Sequence, residues 1–251
     1  MFATEREYLA LRADSVVDAA RLYTAYILGG LARSIRPGRF HGMGRYLFGS
    51  VPVTVRRDGV RFRARPHSED LLYLLPSHKP AVSRWFRPQA GETVVDVGAH
   101  VGLFTVLAAR SGASVLAYEP NPSTARTLRG NLELNGLRRV EVVEAACGST
   151  PVNSTLFVPK AFDDIASLHP EWVAGTDAWG IVEKVPVRVE RLDDRVGRWS
   201  SAPIDWLLID VEGSELAVFE GGRLTLDRTR RVIVEVSRRT ENTCRELLER
   251  E

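Results

Sequence analysis

The sequence predicts an α/β fold, a mostly parallel sheet flanked by helices, preceded by a helical and β-hairpin extension. Two observations carry this. Short β-branched runs alternate with helical stretches from residue 94 almost to the C-terminus, an order that right-handed crossovers convert into a parallel sheet. In addition, Val94-Val95-Asp96-Val97-Gly98-Ala99-His100-Val101-Gly102 carries a buried strand through two glycines into the apolar stretch 103–110. A strand that turns through glycine into a helix brings backbone N–H groups to where a ligand can meet them.

Taken in order, residues 5–35 read as a helix, with Tyr8, Leu11, Val16, Ala19, Ala20, Tyr23, Ile27 and Leu31 at helical spacing. Between Asp18 and Asp58 there is no acid, whereas Arg21, Arg33, Arg36, Arg39, Arg45, Arg56 and Arg57 fall inside that interval. This is either a solvated basic face packed on the main domain or a surface for anionic lipid or RNA. Residues 51–55 and 60–64 alternate apolar and polar around Asp58-Gly59, which predicts a hairpin. Helices at 68–75 and 79–86, bordered by prolines, lead into the main domain, with the boundary near residue 66 and the domain running over 67–251. There the reading is strand 94–97, helix 102–110, strand 114–118, helix 122–134 and strand 140–144. A hairpin-like insertion with strands near 154–158 and 185–190 comes next, then helix 193–199, strand 204–209, helix 214–220, strand 231–236 and a charged helix 240–250. Strand 231–236 then has the character of an apolar edge, and the strands that usually follow it in such folds are missing or truncated, so a second copy or the N-terminal part is expected to cover it.

The totals bound the function. A formal charge of +2 over 251 residues gives no case for DNA binding. Two distant cysteines, Cys147 and Cys244, fit no metal spacing, and no metal is expected. With no secretory signal and no apolar run of about 18 residues, the expectation is a cytoplasmic protein.

The turn itself narrows the ligand. A dinucleotide fingerprint needs glycines at 98, 100 and 103, but the chain has Gly98, His100 and Leu103, and no Gly-Lys-Ser/Thr follows for a phosphate loop. What stands there is Asp-x-Gly-x-x-x-Gly, with a second acid, Glu119, ending the next strand. Acids beside the turn repel a pyrophosphate and suit a cationic ligand with a ribose. S-adenosylmethionine combines a ribose, an adenine and a positive sulfonium. A non-binding domain with glycines kept for packing fits the turn equally well when the turn is taken alone.

More of the chain joins in. Asp96 to Gly102, Tyr118-Glu119-Pro120-Asn121-Pro122, Asn131-Leu132-Glu133-Leu134-Asn135, Leu192-Asp193-Asp194, Ile209-Asp210-Val211-Glu212-Gly213-Ser214-Glu215 and Glu235 occur in one order. Over about residues 91–240 this resembles the FkbM family of S-adenosylmethionine-dependent methyltransferases. The resemblance implies a Rossmann-like class I methyltransferase fold and, mostly, O-methylation of hydroxyls on sugars, glycolipids or secondary metabolites. It assigns Asp96, Gly98, His100, Gly102, Glu119, Asn121 and Ala146 to the cofactor and Asp210 and Glu212 to catalysis. Two positions depart from the family's usual pattern: His100 stands where it has Asn, and Leu208 where it has Lys.

Methyl transfer is an in-line displacement that requires an aligned acceptor, and a hydroxyl acceptor gains from a base. Asp210 is expected to orient donor or acceptor, and Glu212 to meet the acceptor hydroxyl. Glu215 suits the first turn of a helix, as a cap or as a functional acid. The Asp-Val-Glu-Gly sequence differs from the Asn/Asp-Pro-Pro-aromatic turn expected for methylating a base nitrogen. Residues 160–182, with Phe162, His169, Trp172 and Trp179 among Asp163, Asp164, Glu171 and Asp177, are expected to recognise a small-molecule or glycan acceptor or to form a lid, with His169 a candidate base. The competing readings are a methyltransferase-like binding module without turnover, an RNA-directed enzyme, and peripheral membrane contact through the basic N-terminal stretch.

Overall fold

The computed structural model describes residues 11–24, 51–66, 68–159, 163–174 and 182–249. Ser15 decides where the first helix begins. Its Oγ accepts the Asp18 N–H at 3.0 Å, a side-chain cap that starts α1 at residue 16, described to residue 24. Ahead of that cap, Arg12–Ala13 form a short strand, β1, paired antiparallel with Arg56 and Val55. The helix expected over 5–35 is therefore corrected at 12–15: the cap and the Arg56–Asp14 contact at 2.7 Å favour extended chain there. Its stretches 5–10 and 25–35 lie outside the described residues.

β2 (Val53–Arg57) and β3 (Val60–Ala64) form the expected hairpin. Asp58 and Gly59 both have positive φ, 50° and 79°, the turn whose twist matches the strands. Two short helices follow, α2 (Asp70–Tyr73) and α3 (Pro80–Trp85). The main domain then alternates β4 (Thr93–Val97), α4 (Leu103–Ser111), β5 (Ser114–Tyr118), α5 (Pro122–Leu134) and β6 (Val140–Val143). The insertion is a second sheet in which β7 (Ala146–Cys147), β9 (Val182–Glu190) and β8 (Val152–Pro159) lie in that order, with a 3₁₀ turn (Asp163–Ile165) and α6 (Pro170–Val173) between β8 and β9. The chain closes with α7 (Leu192–Trp199), β10 (Trp206–Ile209), α8 (Glu215–Gly221), α9 (Arg223–Leu226), β11 (Val232–Val234) and α10 (Glu241–Leu248).

The central sheet is parallel, in the order β11-β10-β4-β5-β6. Its strands are buried on both faces, and the period of two sorts their side chains into two cores. Val94, Val115, Ala117, Trp206 and Leu208 pack with α4, α5 and the hairpin. Val95, Val97, Leu116, Tyr118, Leu207 and Ile209 pack with α7, α8 and α10. β11 is an edge strand with half-buried side chains. The chain runs outward from β4 through β5 and β6, then returns to β10 on the other side of β4. A crevice opens at the carboxyl ends of β4 and β10, where this topology places ligands.

The hairpin shares a core with the sheet and is also tied to it by polar bonds. The Asn131 amide accepts the Arg63 N–H at 2.7 Å and donates to the Val101 carbonyl at 2.9 Å. Asn135 accepts the Arg61 N–H at 2.9 Å and donates to the Arg61 carbonyl at 2.7 Å. Asn131 thus binds β3 to the glycine turn across α5. Among the described residues, no helix is long and apolar enough to cross a membrane.

Candidate functional site

Backbone builds one end of the crevice. Gly98 has φ 90°, and a Cβ there would lie 1.8 Å from the Asp210 carbonyl oxygen, so only glycine lets the ends of β4 and β10 approach this closely. The Asp210 N–H donates to the Val97 carbonyl at 2.8 Å, completing the contact. His100, also at positive φ (50°), gives its N–H to Glu119 Oε2 at 2.9 Å, and the Asn121 N–H donates to Glu119 Oε1 at 2.8 Å. A backbone amide therefore pins each oxygen of the Glu119 carboxylate while its remaining lone pairs stay available. Burial pushes this carboxyl up to about 7, against the pull of the two amides.

The His100 ring lies on Tyr73, centroids 4.5 Å apart, with Nε2 3.5 Å from the Arg65 guanidinium. Arginine can only donate, which makes Nε2 an acceptor and places the ring proton on Nδ1. Nδ1 has no hydrogen-bond partner among the described residues, and burial holds the imidazole below its usual range, hence neutral.

A cavity of about 230 Å³ extends from this end, past Ala145 and Ala146, to the end of β10. There, side chains from three distant segments converge. Lys79, at the start of α3, reaches both Asp210 Oδ2 and Glu235 Oε2 with its ammonium, beneath the Tyr73 ring at 6.0 Å. Burial alone would lower the lysine, but Asp210, Tyr73 and Glu235 reverse that and keep it charged. Burial pushes Asp210 up to about 7, and Glu235 adds to the effect, while Lys79 holds Glu235 below the carboxylate range despite its own burial.

Glu212 stands beside them at φ 47°, its carbonyl accepting Ser167 Oγ–H at 2.6 Å. Its carboxylate makes no hydrogen bond or ion pair among the described residues, and burial, with Asp210 and Glu235 as like-charged neighbours, pushes it up to about 8. Gly213 next to it, at φ 100°, packs under Trp172, whose indole would lie 2.3 Å from an added Cβ.

A model of the methyltransferase FkbM domain matches residues 96–250. The chain belongs to the FkbM methyltransferase family. Among its relatives, Methyltransferase 1 of Beauveria bassiana is 29% identical over 51% of the chain and 57% of that protein. Methyltransferase sdnD of Sordaria araneosa is 33% identical over 51% of the chain and 59% of its own length. The chain thus spans under two thirds of either. The 2-O-methyltransferase NoeI of Sinorhizobium fredii is 26% identical over 78% of the chain and 82% of that protein.

Within this family frame, the expected site residues divide. Gly98, His100, Glu119, Ala146, Asp210 and Glu212 line the cavity together. Gly102, Asn121 and Asp96 do not. Gly102 is kept for packing, since a Cβ there would lie 2.2 Å from Leu128. The Asn121 side chain caps α5 through the Ser123 N–H at 3.1 Å, and only its backbone serves Glu119. Asp96 turns inward and accepts Thr105 Oγ–H at 2.5 Å, with burial pushing it up to about 6. Glu215 accepts the Gly213 N–H at 2.9 Å, which ties the acidic loop to the first turn of α8, and Asp193 caps α9 from α7 by accepting the Thr225 N–H and Oγ–H. His169 is corrected as a base: its ring sits outside the cavity, 42% exposed, 3.6 Å from Glu171. Phe162, Asp177 and Trp179 lie outside the described residues.

Lys79, Tyr73 and His78 line the cavity without having been assigned to the site from sequence, whereas Asp163 and Asp164 come from the segment expected to recognise the acceptor and Glu235 from the family pattern, where it carried no role. The one available signal is compositional: the chain has 34 basic side chains, of which three are lysines, at 79, 160 and 184. Asp70, His100 and Asp163 bring potential metal-ligand atoms within 4.8 Å of one another. The Arg65 guanidinium bonds Asp70 at 2.6 Å and Asp163 at 2.7 Å, so the charge a metal would bring there is already present.

Proposed function

We propose that this chain is an S-adenosylmethionine-dependent O-methyltransferase acting on a hydroxyl of a small-molecule or glycan acceptor. The observation that carries the reading is one cavity joining the amide-pinned Glu119 to the Lys79–Asp210–Glu212–Glu235 cluster at the carboxyl ends of β4 and β10. The lining fits the cofactor. Glu119 can accept two ribose hydroxyls, and the unpartnered Nδ1–H of His100 and Oγ of Ser214 can meet its polar groups. The cavity lining holds six carboxyl groups and one ammonium; a cationic ligand favours their ionised form, whereas a phosphate would be repelled by it.

When bound, S-adenosylmethionine supplies an activated methyl group, which passes to the acceptor oxygen and leaves a neutral thioether. The chain's own part is alignment and proton handling. Glu119 and His100 hold one side, and Trp172 and Leu168 cover the acidic loop. Glu212 has no ammonium partner among the described residues and is raised by burial and its acidic neighbours; a cationic ligand beside it would oppose that rise, and the carboxylate so favoured takes the acceptor's proton on an oxygen. Oxygen as the acceptor atom draws support from the Sinorhizobium fredii relative, a 2-O-methyltransferase.

Titration calorimetry with S-adenosylhomocysteine tests the reading. Wild type is expected to bind, and Glu119→Ala to lose on the order of tenfold or more in affinity through its unpaired amides and lost ribose contacts. No binding by wild type, or equal binding by the variant, would sink it. Labelled methyl transfer into cell extract separates an enzyme from a non-catalytic binding module, which would bind without incorporation.

A further inference from the structure

Lys79 precedes the residues 96–250 that the FkbM domain matches, yet it occupies the centre of the acceptor end. Its backbone is left-handed, φ 48°, a conformation that costs a residue with a Cβ about 1 kcal/mol and aims the side chain inward. Pro80, at the first position of α3, fixes the chain directly behind it. Lys79 forms one wall of a small second pocket together with Val82, Phe104, Leu208 and Ile233, and with Asp96, Asp210 and Glu235 as its acidic members. The ammonium meets Asp210, just past β10, and Glu235, just past β11.

The residue type matters too. A chain that otherwise relies on arginine uses lysine here, where a compact point charge fits between two carboxylates and a planar fork does not. Leu208 and Asp210 are two apart on β10 and share a face, so a cation at 208 would reach the same carboxylates. That position is instead a leucine buried in the core.

We infer that Lys79 is the positioning residue of the acceptor end: it bridges Asp210 and Glu235, brings from α3 the positive charge that Leu208 does not supply from β10, and leaves Glu212 as the free carboxylate facing the acceptor. The inference rests on the methyl-donor reading above. The groups facing the ammonium are Asp210 and Glu235 at the ends of β10 and β11, Glu212 from the following loop, Asp96 from β4, Asp164 from the insertion, Tyr73 from α2 and the neighbouring His78, which burial and Lys79 together push down to about 4 and hence keep neutral.

The test is calorimetry on the full chain with S-adenosylmethionine and S-adenosylhomocysteine, each in two buffers of different ionisation heat, so that proton release is counted along with affinity. In Lys79→Gln, which keeps an N–H donor but loses the charge, Asp210 and Glu235 take up a proton. The cationic ligand then expels that proton and the neutral one does not, and the affinity ratio moves toward S-adenosylmethionine by about tenfold. Combining Lys79→Met with Leu208→Lys is expected to restore the wild-type ratio and proton count, and it carries the test even if the single variant unfolds. Wild-type behaviour in folded Lys79→Gln, or shifted values in the folded double variant, would overturn the inference. Wild type that fails to bind S-adenosylhomocysteine overturns the methyl-donor reading itself, before any variant is made.

Discussion

The two ends of the cavity are built on opposite plans. At the Glu119 end, one strand–turn–helix unit and the start of the next hold the carboxylate, and the work is done by backbone: a glycine turn and two amide N–H donors. At the Lys79 end, side chains from α3, the tip of β10 and the tip of β11 meet, and charge holds them together. The first plan resists change by sterics and the second by electrostatics. Each should therefore fail in its own way.

The largest effect should come where the two plans touch. Gly98→Ala places a methyl 1.8 Å from the Asp210 carbonyl and demands a positive φ, so a loss of at least about 3 kcal/mol is expected in urea unfolding, with both ends disrupted. Asn131→Ala comes next, at about 2–4 kcal/mol, because it strands the buried Arg63 N–H and Val101 carbonyl.

Ionisation sharpens the comparison. Burial raises the folded-state value of Glu119 to about 7. The folded state then binds more protons than the unfolded chain, so its contribution is complete below the unfolded value and is lost as pH rises toward 7, by up to about 3 kcal/mol. Glu119→Gln should flatten the melting temperature over that window. If the profile keeps its slope, the acids of the Lys79 end dominate it instead. The smallest change should be Asp96→Asn, within about 1 kcal/mol of wild type and with nearly unchanged S-adenosylhomocysteine affinity, since an amide oxygen can still accept from Thr105. A large loss of affinity there would return Asp96 to the cofactor.

The same contrast explains what was legible in the sequence. The parallel sheet, the hairpin at Asp58-Gly59 and the turn from Asp96 to Gly102 were readable because each follows from neighbours in the chain: alternation, turn chemistry and motif spacing. Glu119 and Asp210 were readable because each directly follows a strand, and Glu212 because it belongs to the motif that Asp210 opens. Asn131 and Asn135 belong to the family pattern, but the sequence could not show that they bind β3 rather than a ligand. Lys79 was hidden because its partners lie more than a hundred residues away and its left-handed backbone precedes a proline without any periodic signal. The strand at Arg12–Ala13 was masked by helical spacing that Ser15 interrupts.

The Asn131 bridge has a practical consequence for anyone who engineers this protein. The FkbM domain match begins at residue 96, whereas the cooperative unit begins earlier, because the amide that steadies the glycine turn finds its other partner on β3. A fragment trimmed to the family's stretch would expose the α5 face beneath the hairpin and lose the ammonium of Lys79. Hydrogen exchange should accordingly report β3, α5 and the turn opening as a single unit.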